Sequence, residues 1–324
     1  MISKRSGAFS SQKIHTKKNL GQHYLVDVKK LSFMENFISN INNHVIEVGP
    51  GTGQLTKYII KNCAKLLAIE KDIRFISHLN NLFAKEKFHN NAENNCINYD
   101  SEDGKNDSEN FKDARKLTEN AKEDIELFKS SEEKFKVINC DILEIDFNSL
   151  PDYILVGNLP YNISALIIAK FIRCINKFKH GVFLIQKEVA DKICAKCCDR
   201  DYGRISAFVQ SVAKAKKILN VPPGCFAPPP KVNSEVIHLE ILDDFAESDL
   251  MNLDNLDTIL RAAFSSPRKT IQNNLSSAFP HLVEKFSDII IQNNLNMKMR
   301  PNQVSVSVYQ KMANIFKEEE NDKK

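Results

Sequence analysis

His44-Val45-Ile46-Glu47-Val48-Gly49-Pro50-Gly51-Thr52-Gly53-Gln54-Leu55-Thr56-Lys57 sets the architecture of this chain. An apolar run, a glycine turn and a helical start follow one another without a gap. That order brings backbone close to a bound cofactor at the end of a buried strand. The spacing separates cofactor classes. A dinucleotide fingerprint wants glycines at the first, third and sixth positions, but Gln54 holds the sixth. Here the glycines fall at the first, third and fifth, with the acid Glu47 just before them.

Three further strand ends carry polar residues in the same register. Leu66-Leu67-Ala68-Ile69 ends on Glu70, a carboxylate that can accept both hydrogen bonds of a ribose diol. Val137-Ile138-Asn139-Cys140 ends on Asp141, suited to an adenine amino group. Tyr153-Ile154-Leu155-Val156 leads into Asn158-Leu159-Pro160-Tyr161. In that tetrapeptide the Asn158 amide oxygen and the Leu159 carbonyl can both accept from an exocyclic amine. Pro160 fixes the backbone so that the two acceptors converge, and Tyr161 offers a face for stacking a base. Each feature has a plain alternative: strand-terminal acids cap helices, and proline opens them. Four in register at successive strand ends point to a site.

The chain has 324 residues, 42% of them hydrophobic, enough to bury a full core in about two domains. No apolar stretch approaches the roughly 20 residues that span a bilayer, so no membrane partner is expected. The N-terminus lacks the apolar core of a secretory signal. It is acid-free through Tyr24 and reads as a basic arm for phosphates in preference to an organellar presequence. Net charge is +4, but residues 101–133 hold 11 acids against 6 Lys/Arg, leaving a basic remainder compatible with a nucleic-acid substrate. Eight cysteines without an export signal indicate free thiols in a reducing, cytoplasmic setting. Cys194, Cys197 and Cys198 include a CxxC spacing, but no second pair completes a metal site, and they read as helix-end residues. No metal is expected.

Strand and helix alternate through the first half, the pattern of a mostly parallel sheet covered on both faces. A helix is predicted over Val28–Ser39, with strands near 44–48, 65–70, 136–141, 153–157, 181–186, 215–221 and 235–242. Between about 85 and 134 large apolar residues are scarce. That segment reads as a polar insertion, disordered or loosely helical, removable over 87–133 without loss of activity. From about Asp243 helix follows helix. The expected organisation is a domain over 1–242, with a basic arm over 1–25, and a small α-helical C-terminal domain over 243–324.

Lys17-Lys18-Asn19-Leu20-Gly21-Gln22-His23-Tyr24-Leu25, the glycine turn, Asn158 to Ser164, Phe183 to Ala190, Tyr202 to Ser206 and Pro222 to Val232 together resemble the small-subunit ribosomal RNA adenine dimethyltransferases. The resemblance spans nearly all of the chain outside the insertion. It implies a Rossmann-like α/β fold of the class I S-adenosylmethionine methyltransferases, with a seven-stranded sheet. It implies dimethylation of N6 on two adjacent adenosines in the 3′-terminal hairpin of small-subunit rRNA, with S-adenosylmethionine as donor. It further implies that His23, Leu25, Gly49, Gly51, Glu70, Asp141 and Asn158 meet the cofactor, and that Asn158, Leu159, Pro160 and Tyr161 meet the target base. The family commonly carries asparagine at position 23, so contact there rests on the backbone more than on the side chain. Pro267 stands where the family's first arginine is usual, before Arg268-Lys269.

The second face of the base is open to Phe183, with ordinary sheet core as its plain alternative. Tyr24 reads as a packing anchor. Lys17, Lys18, Arg204, Lys214, Lys216, Lys217, Lys231, Arg261, Arg268 and Lys269 are candidate phosphate contacts. The expected substrate is the immature small ribosomal subunit, met by a monomer, and removal of 243–324 should weaken its binding more than cofactor binding. Large-subunit rRNA dimethylation, DNA adenine methylation and a non-catalytic RNA-binding assembly factor are the alternatives. Leu159 argues against the DNA enzymes, which usually have proline there. The four strand-end residues argue against loss of catalysis.

Overall fold

Apolar runs flanking the glycine turn become strands buried on both faces, as a parallel sheet requires. A computed structural model describes residues 23–83, 110–174, 176–243 and 247–321. The first half contains β1 (Tyr24–Leu25), α1 (Val28–Ser39), β2 (His44–Val48), α2 (Thr56–Asn62), β3 (Lys65–Glu70), α3 (Ile73–Phe83), α4 (Asn110–Ser130), β4 (Phe135–Asn139), β5 (Ile154–Asn158) and α5 (Ser164–Ile172). There follow β6 (His180–Gln186), α6 (Lys187–Cys194), α7 (Arg204–Gln210), β7 (Ala213–Val221), β8 (Phe226–Ala227) and β9 (Ser234–Ile241). The chain then runs through α8 (Glu247–Ala263), α9 (Ile271–Ala278), α10 (Val283–Gln292) and α11 (Val306–Asn321).

Among the described residues the main sheet has seven strands in the order β4-β3-β2-β5-β6-β9-β7. Strands β4 through β6 run parallel, and β9 lies antiparallel between β6 and β7. Chain progression reverses between β2 and β5, so a crevice opens at their carboxyl ends. Alternation along the strands splits the core. Ile46, Val48, Leu67, Ile69, Leu155 and Phe183 share one core with α4 and α5, and that core continues into the C-terminal helices. Val45, Leu66, Ala68, Ile154, Val156 and Leu184 face α1, α2 and α3.

A two-residue ribbon absent from the sequence expectations ties the N-terminal motif to the proline-rich loop. Tyr24 pairs with Ala227 and Leu25 with Phe226. Val26 N donates to Cys225 O at 2.8 Å, and the Asp27 carboxylate caps α1 by accepting from Lys30 N.

The insertion expectation needs correction. Residues 84–109 lie outside the described residues, but α4 is a structural helix. Ala121, Ile125 and Phe128, at helical spacing, are buried in the sheet's core. The Lys65 ammonium donates to the carbonyls of Phe128, Lys129 and Ser131, capping the helix's carboxyl end. Excising 87–133 would strip the sheet of part of its cover.

The C-terminal helices also share that core: Ile259, Leu260, Ile290 and Tyr309 join the cluster that holds Ile237 and Leu239. Helices α8 and α11 pack on α7, so removing 243–324 would open this core as well as take away any RNA-reading surface. Asp257 on α8 draws three guanidinium groups, from Arg173, Arg204 and Arg261. Burial would raise its carboxyl, but the hydrogen bonds and charge of Arg204 and Arg261 hold it below the usual range. Arg204 and Arg261 therefore have an internal partner that sequence did not reveal.

Candidate active site

The glycine turn depends on a conformation that side chains resist. Gly49 and Gly51 sit at φ +63° and +55°, in the left-handed region. A Cβ on Gly51 would come within 2.7 Å of the Tyr24 ring, whereas one on Gly49 would meet no atom within 4 Å among the described residues. Gly49 thus borders open space in a cavity of about 520 Å³ at the carboxyl ends of β2, β3 and β5. Beneath the turn, buried Glu47 accepts from the Thr56 hydroxyl at 2.7 Å. Burial pushes its carboxyl up to about 7 against that hydrogen bond, and the charge of Glu70 adds to the rise.

Glu70 reaches the cavity from β3. Its Oε2 accepts from Gly51 N at 3.0 Å and its Oε1 from Asp72 N at 2.7 Å. Burial raises its carboxyl, partly offset by those amides. A carboxylate offers about four acceptor positions, so capacity remains for a diol. Asp141 lies two residues past β4. Its Oδ1 accepts from Leu143 N at 2.9 Å, and its Oδ2 meets the Lys71 ammonium at 2.6 Å.

At the end of β5 the Asn158 amide has one defined partner among the described residues: Nδ2 donates to the His23 carbonyl at 2.7 Å. Donation by Nδ2 leaves Oδ1 as an acceptor on a residue that lines the cavity. Leu159 N donates to Leu184 O at 3.0 Å, holding the tetrapeptide to β6. The Tyr161 hydroxyl bonds to Ser234 Oγ at 2.7 Å, and its ring stacks on the His23 imidazole with centroids 5.7 Å apart.

His23, Leu25, Gly49, Gly51, Glu70, Asp141, Asn158, Leu159, Pro160 and Tyr161 all line this one cavity. Phe183 does not. It is fully buried, edge-on to Phe171 at 5.6 Å, because its position on β6 alternates under α5 and the ring packs there within the core. The stacking role is withdrawn and the core role stands. Two residues were missed. Tyr24 lines the cavity with a buried hydroxyl that has no hydrogen-bond partner among the described residues, and burial pushes its pKa to about 12. Lys71 was invisible because exposed lysines are common.

The open space over Gly49, the orphan Tyr24 hydroxyl and two strand-end acids fit a cofactor with a ribose and an adenine. With the sheet order and the amide tetrapeptide, they define a class I S-adenosylmethionine-dependent methyltransferase. A model of the ribosomal RNA adenine dimethylase family matches residues 13–102 and 110–318. The chain belongs to that family. It is 31% identical to Ribosomal RNA small subunit methyltransferase A of Mycoplasma mobile, covering 90% of this chain and 95% of the relative. It is 30% identical to the protein of that name from Prochlorococcus marinus strain MIT 9215, covering 94% and 97%. Among solved structures, a dimethyladenosine transferase from Plasmodium falciparum shares the fold with a TM-score of 0.65 at 22% identity, covering 91% of this chain and 98% of its own. The 23S rRNA methyltransferase ErmE shares it with a TM-score of 0.57 at 17% identity, covering 90% and 99%. The protein is an S-adenosylmethionine-dependent rRNA adenine dimethyltransferase.

Proposed function

We propose that this enzyme dimethylates N6 of two adjacent adenosines in the 3′-terminal hairpin of small-subunit rRNA, acting as a monomer on immature small subunits in the cytoplasm. The observation that carries the reading is the Asn158 amide, oriented by the His23 carbonyl beside the glycine-turn cavity. The small-subunit name of relatives covering nearly their whole length supports the choice of substrate.

S-adenosylmethionine, when bound, supplies an electrophilic methyl group on a sulfonium. Gly49 and Gly51 would hold it through backbone, Glu70 by the ribose diol, Asp141 by the adenine amine, and His23 and Leu25 from the N-terminal ribbon. Adenine N6 is a poor nucleophile because its lone pair is delocalised into the ring. Acceptance of its two hydrogens by Asn158 Oδ1 and the Leu159 carbonyl favours a pyramidal nitrogen with a localised lone pair. Tyr161, pinned by Ser234, stacks the extruded base and offsets part of the cost of unstacking. Positioning and charge complementarity supply the acceleration. The methylated nitrogen is acidic, and water takes its proton without a side-chain base.

Residues 1–242 would form the methyltransferase domain, and 243–324 a helical domain that reads rRNA shape with the Pro222–Val232 loop. Mass spectrometry of rRNA from unmodified small subunits, incubated with the enzyme and isotope-labelled donor, tests the proposal. Two neighbouring dimethyladenosines in the 3′-terminal hairpin are expected. Modification confined to large-subunit rRNA or DNA would contradict it.

A further inference from the structure

Lys170, in the last turn of α5, gives its ammonium to the turn that follows β4. Nζ donates to the carbonyls of Leu143 at 2.7 Å and Ile142 at 3.2 Å, and to that of Ile145. An ammonium has three hydrogens, and three carbonyls are there to take them. The same nitrogen lies 4.7 Å from the centroid of the Phe147 ring. Burial pulls the Lys170 pKa below the usual lysine value. A charge kept in such a place has a task, since an apolar residue would carry no desolvation penalty there. The amides of this turn go to Asp141. Leu143 N donates to Asp141 Oδ1 at 2.9 Å, and Glu144 N and Ile145 N donate to its carbonyl at 2.9 and 3.2 Å. Asp141 thus holds the amides of the turn and Lys170 its carbonyls. Asp141, Ile142 and Leu143 line the cavity, whereas Lys170 stands behind them.

We propose that Lys170 is a positioning residue for the methyl donor, fixing the turn after β4 so that the Asp141 carboxylate meets the donor's adenine amine. The proposal rests on the reading of Asp141 as the partner of that amine. Without the ammonium, three carbonyls lose a shared donor in a half-buried setting, and their peptide planes must rotate to find water. Rotation there moves Leu143 N, the group that sets Asp141 Oδ1. Lys71 cannot compensate, because it grips only Oδ2 and does so from an exposed side chain. The methyl-accepting side of the site is anchored elsewhere: Leu159 N to Leu184 O, and the Asn158 amide to the His23 carbonyl. Loss of Lys170 therefore loosens recognition of the donor and leaves transfer from bound donor in place.

Calorimetry on the full chain tests this with two ligands: S-adenosylhomocysteine, and its analogue carrying hydrogen in place of the adenine amino group. The parent should prefer the first by about tenfold or more, the scale of one hydrogen bond to a charged acceptor. Lys170→Met keeps a stem of similar length without donors and should shrink that preference to about threefold or less. In methylation of unmodified small subunits the same variant should raise the donor KM about tenfold and keep kcat within about threefold. Lys170→Arg retains several donors and should hold the preference within about threefold of the parent's. Where Met does not fold, Lys170→Gln carries the same expectation, because a shorter, neutral amide cannot span three carbonyls. Equal weakening of both ligands in Met, with the preference intact, would overturn the proposal and leave Lys170 a brace of the fold. Parent affinities in Met, or an Arg variant as indiscriminate as Met, would also overturn it. Equal affinity of the parent for the two ligands would instead sink the reading of Asp141, and the proposal with it.

Discussion

The Lys71 ammonium crosses from the end of β3 to the Asp141 carboxylate beyond β4, closing to 2.6 Å at the rim of the cavity. The Lys71 side chain is 71% exposed and that of Asp141 only 14%. An ion pair with so exposed a partner is worth about 0–1 kcal/mol, whereas a hydrogen bond to a charged, sheltered acceptor is worth about 1.5–3 kcal/mol. Asp141→Ala should weaken S-adenosylmethionine binding by about tenfold or more in calorimetry, and Lys71→Ala should change it by less than about threefold. Equal losses would make Lys71 a direct contact.

Glu47 gives the fold a pH dependence of definite sign. Burial raises its folded-state pKa from 4.5 to about 7. The folded chain then holds a proton that the unfolded chain releases. Its stabilising contribution is complete below the unfolded value and fades as pH rises through about 7. The full difference is on the order of 3 kcal/mol. Melting curves from pH 5 to 8 should show a stability decline that flattens in Glu47→Gln, which keeps an acceptor for Thr56 without the ionisation. An unchanged slope in the variant would assign the decline elsewhere.

Phe128 on α4 is buried against the sheet, so Phe128→Ala should cost about 3–5 kcal/mol in chemical denaturation. A loss below about 1 kcal/mol would return α4 to the status of a dispensable insert.

The sheet and the cavity were legible because their determinants are local. Apolar runs, a glycine turn and strand-end acids occupy fixed offsets, and the predicted strands and α1 appear within a residue or two of their places. Helix α4 escaped notice because Ala121, Ile125 and Phe128 are sparse among charged neighbours, and one narrow stripe suffices for a helix covering a sheet edge. Phe183 was ambiguous because strand parity, set by pairing with β5 and β9, decides which face a side chain takes. The β1–β8 ribbon and the grouping of Arg173, Arg204 and Arg261 on Asp257 join residues far apart in sequence, where no local pattern can announce them.

Substrate choice should rest on RNA shape and phosphate contacts more than on one flipped base. Lys214, Lys216, Lys231, Arg268 and Lys269 are exposed. Immature small subunits should be methylated far faster than a free hairpin, with the rate falling by at least about tenfold between 50 and 200 mM salt. The double charge reversal Arg268→Glu/Lys269→Glu should weaken subunit binding while cofactor affinity holds. Comparable rates on hairpin and subunits with little salt dependence would show that the wider surface does not read the substrate.

The central claim is that the Asn158 amide, set by its bond to the His23 carbonyl, positions the adenine amine for methyl transfer. Single-turnover methylation of unmodified small subunits by the parent chain and by Asn158→Ala, with subunit binding measured in parallel, tests it most directly. Loss of the preorganised acceptor should slow transfer by about a hundredfold or more while subunit affinity stays within about threefold. Parent-like transfer by Asn158→Ala would contradict the account.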